Sequence, residues 1–165
     1  MADGNMEEIK RLLKKFTRDW KNYVVQSLMA TLSVFFVMLA LTWQDAVIIA
    51  SLGATAFVVF AMPNNVSART RNVIGGHLVG LTCGSLAALI PHATDLGASL
   101  VYSLAVGSSI FIMVVTDTEH PPASGTALGF AMMGFNLYAG LAVISASICL
   151  SFFHFIFRPY LKELV

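Results

Sequence analysis

Residues that carry chemistry are few in this chain, and they gather at two places. The first is Glu119-His120-Pro121-Pro122-Ala123, two residues after Asp117. Proline has no backbone donor, and the residue before a proline avoids the helical region, so a helix must end before His120. A new helix can start with Pro121 or Pro122 in its first turn, where the missing donor costs nothing. Ser124, Gly125 and Thr126 then fall at or near that turn. About 12 helix-compatible residues follow, Ser124 to Phe135. They span about 18 Å at 1.5 Å per residue, against a bilayer core of roughly 30 Å. Such a helix starts inside the membrane with free N–H groups facing a cavity. That end carries partial positive charge and suits a small anion. The second place is Ser51 to Thr55 with Gly53, which reads as a partner helix end. His77 is a third candidate, because an imidazole in an apolar segment is paired or lines a cavity. Asp117 and Glu119 read as mouth residues. Glu119 is a candidate for coupling anion movement to protons, for pairing with Arg69 or Arg71, or for simple hydration.

The composition places these residues in a bilayer. Of 165 residues, 57% are apolar and 12% charged, where a soluble domain carries about 25% charged residues. Mean hydropathy is +0.77. Disorder, a nucleic-acid-binding module and an ordinary soluble enzyme are excluded on these grounds. All ten Lys and Arg lie in three clusters, Lys10 to Lys21, Arg69 with Arg71, and Arg158 with Lys162. Cys83 and Cys149 sit in apolar stretches and read as small core residues. No cleavable signal peptide is evident at the N-terminus.

The elements that must position the candidates follow from apolar runs and breakers. Residues 6 to 23 place Ile9, Leu12, Leu13, Phe16, Trp20 and Tyr23 at three- and four-residue steps among basic residues. That predicts an amphipathic helix lying on an anionic membrane surface. Apolar segments follow at about 24–43, 46–62, 73–90, 97–116, 123–135 and 137–157, with Trp43 closing the first at an interface. Six crossings put every basic cluster on one side, so both termini are expected in the cytoplasm. A four-span alternative makes the two short segments re-entrant and puts Arg69 and Arg71 outside. Gly53 to Met62 resembles Ser124 to Met133 at an offset of 71 residues, which also pairs Asn65 with Asn136. The expected fold is therefore an all-α transmembrane bundle of two inverted three-segment repeats. Gly76, Gly80 and Gly84 share a helix face next to Gly75 and allow close helix contact, within the chain or between copies. His154 is expected at an interface and His92 in a solvated loop.

At Ser51-Leu-Gly-Ala-Thr-Ala56, at Arg71-Asn-Val-Ile-Gly-Gly-His77 and at Glu119 to Ala123, in that order along the chain, the sequence resembles the HPP family of integral membrane proteins. The resemblance covers roughly residues 24 to 158. Thr70 stands before Arg71 where the family arrangement would have proline. Family members are usually described with four spans, and those of cyanobacteria and plastids are associated with nitrite transport. The resemblance thus implies a nitrite-transporting membrane protein, and carries over His120, Pro121, Pro122 and Ala123, Gly75 to His77, and Gly53 to Thr55. No appended regulatory domain is expected.

The expected function is a transporter or channel for a small inorganic anion, nitrite first, in a bacterial inner membrane. The anion is held by helix ends and the hydroxyls of Ser51, Thr55, Ser124 and Thr126, with His77 or His120. The expected partners are that anion and the lipid bilayer, with no nucleic acid. A homo-oligomer of unknown order is also expected, since so short a chain buries little surface alone. No metal or other cofactor is expected, because zinc-ligand spacing, a Walker loop and a nucleophile elbow are all missing. Two alternatives remain open. One is a membrane scaffold or sensor docking a partner through the basic helix. The other is an intramembrane enzyme, which needs Asp117, Glu119, His77 and His120 to converge.

Overall fold

The computed structural model describes residues 2–40 and 46–165. The expected interfacial Trp43 and the Gln44–Asp45 loop lie outside the described residues. The described chain forms α1 (Ala2–Ala40), α2 (Ala46–Ala61), α3 (Thr70–Ala87), α4 (Asp95–Val115), α5 (Pro122–Met133) and α6 (Leu137–Phe157). Single 3-10 turns follow α2 at Val66–Ala68 and α6 at Arg158–Tyr160. Breakers account for most boundaries. Met62-Pro63 stops α2, Pro121 and Pro122 open α5, and Gly134 closes it with φ +77°, a left-handed conformation that glycine adopts freely. Asn65 and Asn136 act alike, each accepting a backbone N–H two residues on and so starting the next turn.

α5 is the centre of the bundle. It packs against α3, α2 and α4, while α6 and α1 close the outside against α2 and α3. One core joins Ile48, Leu52, Phe130, Ala139 and Val143, and another joins Ala56, Val59, Phe60, Val73 and Leu150. The polarity is inside out relative to a soluble domain. His77, His120, Thr55, Thr126, Ser109 and Ser147 are wholly buried, while Leu104, Phe111 and Phe155 are 62%, 68% and 75% exposed. An apolar exterior around a polar core suits lipid as the solvent. α4 and residues Leu137–Tyr160 are long and apolar enough to cross a bilayer, each with mean hydropathy 2.0, and α2 is shorter but apolar.

Three expectations differ from the structure. The basic segment is not a separate helix, since α1 continues through residue 23 without a break. No glycine or proline follows Gly4 before Ala40, so nothing turns the helix where its composition changes from basic to apolar. Cys149 is exposed on the outer face of α6 rather than in the core, whereas Cys83 is buried. His154 is buried, and its Nε2–H donates to the carbonyl of Pro63 at 2.9 Å. That acceptor is open because the α2 breakers end its helix there.

The last five residues run back along α1. The buried amide of Gln26 donates to the carbonyls of Phe60 and Lys162 and accepts the N–H of Lys162. The Lys15 Nζ donates to the Leu164 carbonyl at 3.1 Å, and Leu164 N–H donates to Ala61. Asp19 takes Arg18 and Lys162 as partners, at 2.9 and 3.3 Å. The hydrogen bond from Arg18, then that from Lys162, hold the Asp19 carboxyl below the usual aspartate range against the opposing effect of desolvation. A depressed folded-state value means that this bridge contributes above the unfolded value and is lost as pH falls through the folded one. A Gln26→Leu chain should therefore be cleaved within residues 161–165 by limited proteolysis at neutral pH, while the native chain resists. The native chain should become susceptible only below the ordinary carboxylate range.

Candidate functional site

The site is the place where α2, α3 and α5 meet. Ser51 and Thr55 lie one turn apart on α2, so their hydroxyls share a face. His77 lies at the middle of α3, and Thr126 in the second turn of α5. His120 enters from the connection before α5, which the two prolines hold out of helix. These five side chains form one hydrogen-bonded chain. Ser51 Oγ is 2.6 Å from the Pro122 carbonyl and 2.8 Å from Thr126 Oγ1. Thr126 Oγ1 is 2.8 Å from His77 Nδ1, and His77 Nε2 is 2.9 Å from Thr55 Oγ1. Thr55 Oγ1 is 3.0 Å from His120 Nε2, and His120 Nδ1 is 2.8 Å from the Ser67 carbonyl. A side branch joins Thr55 Oγ1 to the Ser51 carbonyl at 3.1 Å. The imidazole centroids are 5.1 Å apart. Four of the five side chains are 0% exposed and Ser51 is 5% exposed, so every bond is made in a medium where a hydrogen bond is strong and an unmade one is costly.

The glycine seam brings the helices close enough for this. An added Cβ at Gly76 would lie 2.6 Å from the His120 Cβ. At Gly80 and Gly84 it would overlap the backbone carbonyls of Ala123 and Ala127 on α5. The seam thus serves packing within the chain, and Ala123 fills the space opposite Gly76. Gly75 does the same for the Thr118 side chain, which an added Cβ would meet at 2.8 Å. Gly125 does so for Ser51, at 3.2 Å.

Other candidates stand apart. Gly53 faces away, and a Cβ there meets nothing within 4 Å. Ser124 Oγ donates to the Pro121 carbonyl at 2.7 Å, at the exposed rim. Asp117 is on the surface in a left-handed conformation (φ +56°) and pairs with Arg71 at 3.0 Å, with side chains 75% and 63% exposed. The four groups needed by an intramembrane enzyme therefore do not converge, since the pairing with Arg71 keeps Asp117 outside. Among the described residues, no three His, Cys, Asp or Glu side chains are grouped to hold a metal ion. His92 is half-buried in its loop, with Nδ1 on the Ile90 carbonyl at 2.8 Å. Replacing Arg71 by Ala should cost no more than about 1 kcal/mol, as exposed pairs do; thermal unfolding of the purified variant measures it.

The helix ends differ from the expected arrangement. Ser51 to Thr55 is the middle of α2, because Gly53 alone does not stop a helix that starts at Ala46. At α5 the N–H groups of Ala123 and Ser124 are already given to the His120 and Pro121 carbonyls, at 2.8 and 3.1 Å. Tight turning at the two prolines consumes these donors. Any ligand is thus met by side chains rather than by free backbone N–H groups. Two contributors were not anticipated. The Ser67 carbonyl anchors His120, and buried Asn72 donates to the Glu119 carbonyl at 3.1 Å, fixing the loop that carries it. Asn72 continues the four-residue spacing of Gly76, Gly80 and Gly84, a signal that was present in the sequence.

Residues 15–161 match the family described as HPP, transmembrane region. A transmembrane protein of Dictyostelium discoideum is 33% identical over 123 residues, which is 74% of this chain and 39% of that protein. A second transmembrane protein from the same organism is 31% identical over 97 residues, 59% of this chain and 31% of that protein. The chain therefore spans about a third to two fifths of the length of these relatives. No solved structure matches it.

Proposed function

The chain belongs to the HPP transmembrane family, and from that premise we infer that it is a membrane transporter or channel for a small inorganic anion, with nitrite the first candidate. One observation carries this reading. A lipid-facing bundle encloses a cluster of two imidazoles and three hydroxyls, with no carboxylate among them. Polar groups at this depth are costly and mark pathways more often than packing. Hydroxyl and imidazole N–H groups are donors of the kind that replace water around a monovalent oxyanion. They can do so by exchanging their bonds to one another for bonds to the anion. The paired roles of α2 with α5, and of Asn65 with Asn136, support two inverted repeats whose halves move against each other at this cluster. The protein is not an enzyme on this reading. It sits in a bacterial inner membrane with both termini cytoplasmic, and its exposed apolar helices leave room for a homo-oligomer.

Flux of nitrite, nitrate, chloride and formate into proteoliposomes tests the reading. Saturable nitrite flux that is lost in a folded His120→Gln protein is the expected result. No anion flux from correctly inserted protein would overturn it.

A scaffold role has one observation of its own. Ile9, Leu13, Phe16 and Trp20 are about half exposed along the basic end of α1. Removing residues 2–21 should leave flux intact in a transporter and abolish function in a scaffold.

A further inference from the structure

The hydrogen-bonded chain has carbonyls at both ends, Pro122 and Ser67, and a carbonyl only accepts. Between them stand five members, Ser51, Thr126, His77, Thr55 and His120, joined by six links of 2.6 to 3.0 Å. Each link needs one hydrogen. Each hydroxyl supplies one, and each neutral imidazole supplies one. Five hydrogens cannot fill six links, wherever the tautomers are set. One more proton fills them all without moving a heavy atom.

We propose that this chain is a one-proton site shared by His77 and His120 through the Thr55 hydroxyl, and that its proton crosses with the anion. This rests on the anion-transport reading for its second half only. With the charge on His120, Nδ1–H donates to Ser67 and Nε2–H to Thr55. Thr55 donates to His77 Nε2, His77 Nδ1–H to Thr126, Thr126 to Ser51, and Ser51 to the Pro122 carbonyl. In the transfer Thr55 takes the proton from His120 Nε2 and gives its own to His77 Nε2. One N–H and one O–H bond break, one O–H and one N–H form, and the charge moves between rings 5.1 Å apart. The Ser51 carbonyl, 3.1 Å from Thr55, is the resting place for that hydroxyl when it turns aside.

An anion bound in these surroundings calls for this charge. Among the described residues, α2 and α5 carry no ionisable side chain. Those on the neighbouring elements are Arg71 and Cys83 on α3, Asp95 and Tyr102 on α4, Tyr138, Cys149 and His154 on α6, and the charged residues and Tyr23 in the first 23 residues of α1, with Arg69, His92, Asp117 and Glu119 in the connections. None of them hydrogen-bonds to the cluster, and Arg71 is taken by Asp117 at the surface. A monovalent anion entering the cluster meets no fixed cation, and an isolated charge in such a medium is strongly disfavoured. An imidazolium supplies the countercharge and makes the moving pair neutral.

The test is nitrogen NMR of protein labelled at the histidine nitrogens, in lipid nanodiscs, across pH with and without nitrite. The expected result is a single imidazolium shared by two rings that titrate together, its fraction raised at least tenfold by nitrite at fixed pH. Thr55→Val should split this into two independent ring signals, and Thr55→Ser should restore it. Should Thr55→Val not elute as folded protein, His77→Gln replaces it and should leave one ring titrating alone. Shared titration that survives Thr55→Val, or two rings that stay neutral at every pH with nitrite present, would overturn the site. In proteoliposomes an inward proton gradient should drive nitrite accumulation above that of protein-free vesicles, at one proton per anion. Nitrite flux indifferent to that gradient overturns the coupling. Absence of all anion flux alongside shared titration sinks the transporter reading and upholds the proton site.

Discussion

Replacing Gly80 with isoleucine should abolish the folded protein, seen as loss of the monodisperse peak on size exclusion in detergent. The position faces the Ala123 carbonyl and the Ala127 N–H on α5, which are main-chain atoms and cannot rotate away. Relieving the overlap means separating α3 from α5, and that pair positions His77 against Thr126. Overpacking a core costs about 1–3 kcal/mol where side chains can shift, and here the backbone must move instead, so the effect lies at or beyond the upper end. Gly84 predicts the same, with Ala127 and Phe130 as the atoms displaced. Gly53→Ala is the matched control. It meets nothing within 4 Å, and restricting the unfolded chain should stabilise the protein by about 0.4–1 kcal/mol. A Gly80 variant that unfolds at the native temperature would disprove the close approach.

The second large effect is on flux. Thr126→Val keeps the shape of the side chain and removes the hydroxyl that links His77 Nδ1 to Ser51 Oγ, 2.8 Å on each side. Both partners are buried, and each unmet polar group costs about 1–3 kcal/mol. At about 1.4 kcal/mol per tenfold in rate, nitrite flux should fall by about ten- to a hundredfold, with folded yield measured alongside. Ser124→Ala is the contrast, since its hydroxyl only caps the Pro121 carbonyl at the rim, and its flux should stay within about twofold. Equal losses in the two variants would mean that the cluster is not where the anion passes.

Much of this arrangement was legible in the sequence, because the relevant signals are local. Prolines and the residues before them set the ends of α2 and the start of α5, and apolar runs set α4 and α6 to within two residues. His77 and His120 stood out because an imidazole in an apolar stretch needs a partner. What could not be read was who that partner is. Thr55 lies 22 residues from His77 and 65 from His120, and no periodicity reports a contact across three helices. The same limit hid the Ser67 carbonyl, because backbone acceptors carry no residue signature. The misreading of α1 has the opposite cause. Composition changes sharply at residue 23, but helical continuity depends on backbone breakers, and none is there. The misplaced helix end at Ser51 to Thr55 came from carrying the start of α5 across the 71-residue repeat to a stretch that has no proline to break the helix.

The clasp between Gln26 and the last residues bears on biogenesis. Gln26 leaves the ribosome well before Lys162, which supplies two of its three bonds from 136 residues later. Until Lys162 is made, α1 holds an amide with only the Phe60 carbonyl as a partner, in a segment bound for lipid. α1 is therefore secured late, and a nascent chain that stops short of Lys162 leaves this amide with one of its three bonds. Such a group is the kind of lesion by which a cell can tell an unfinished membrane protein from a finished one.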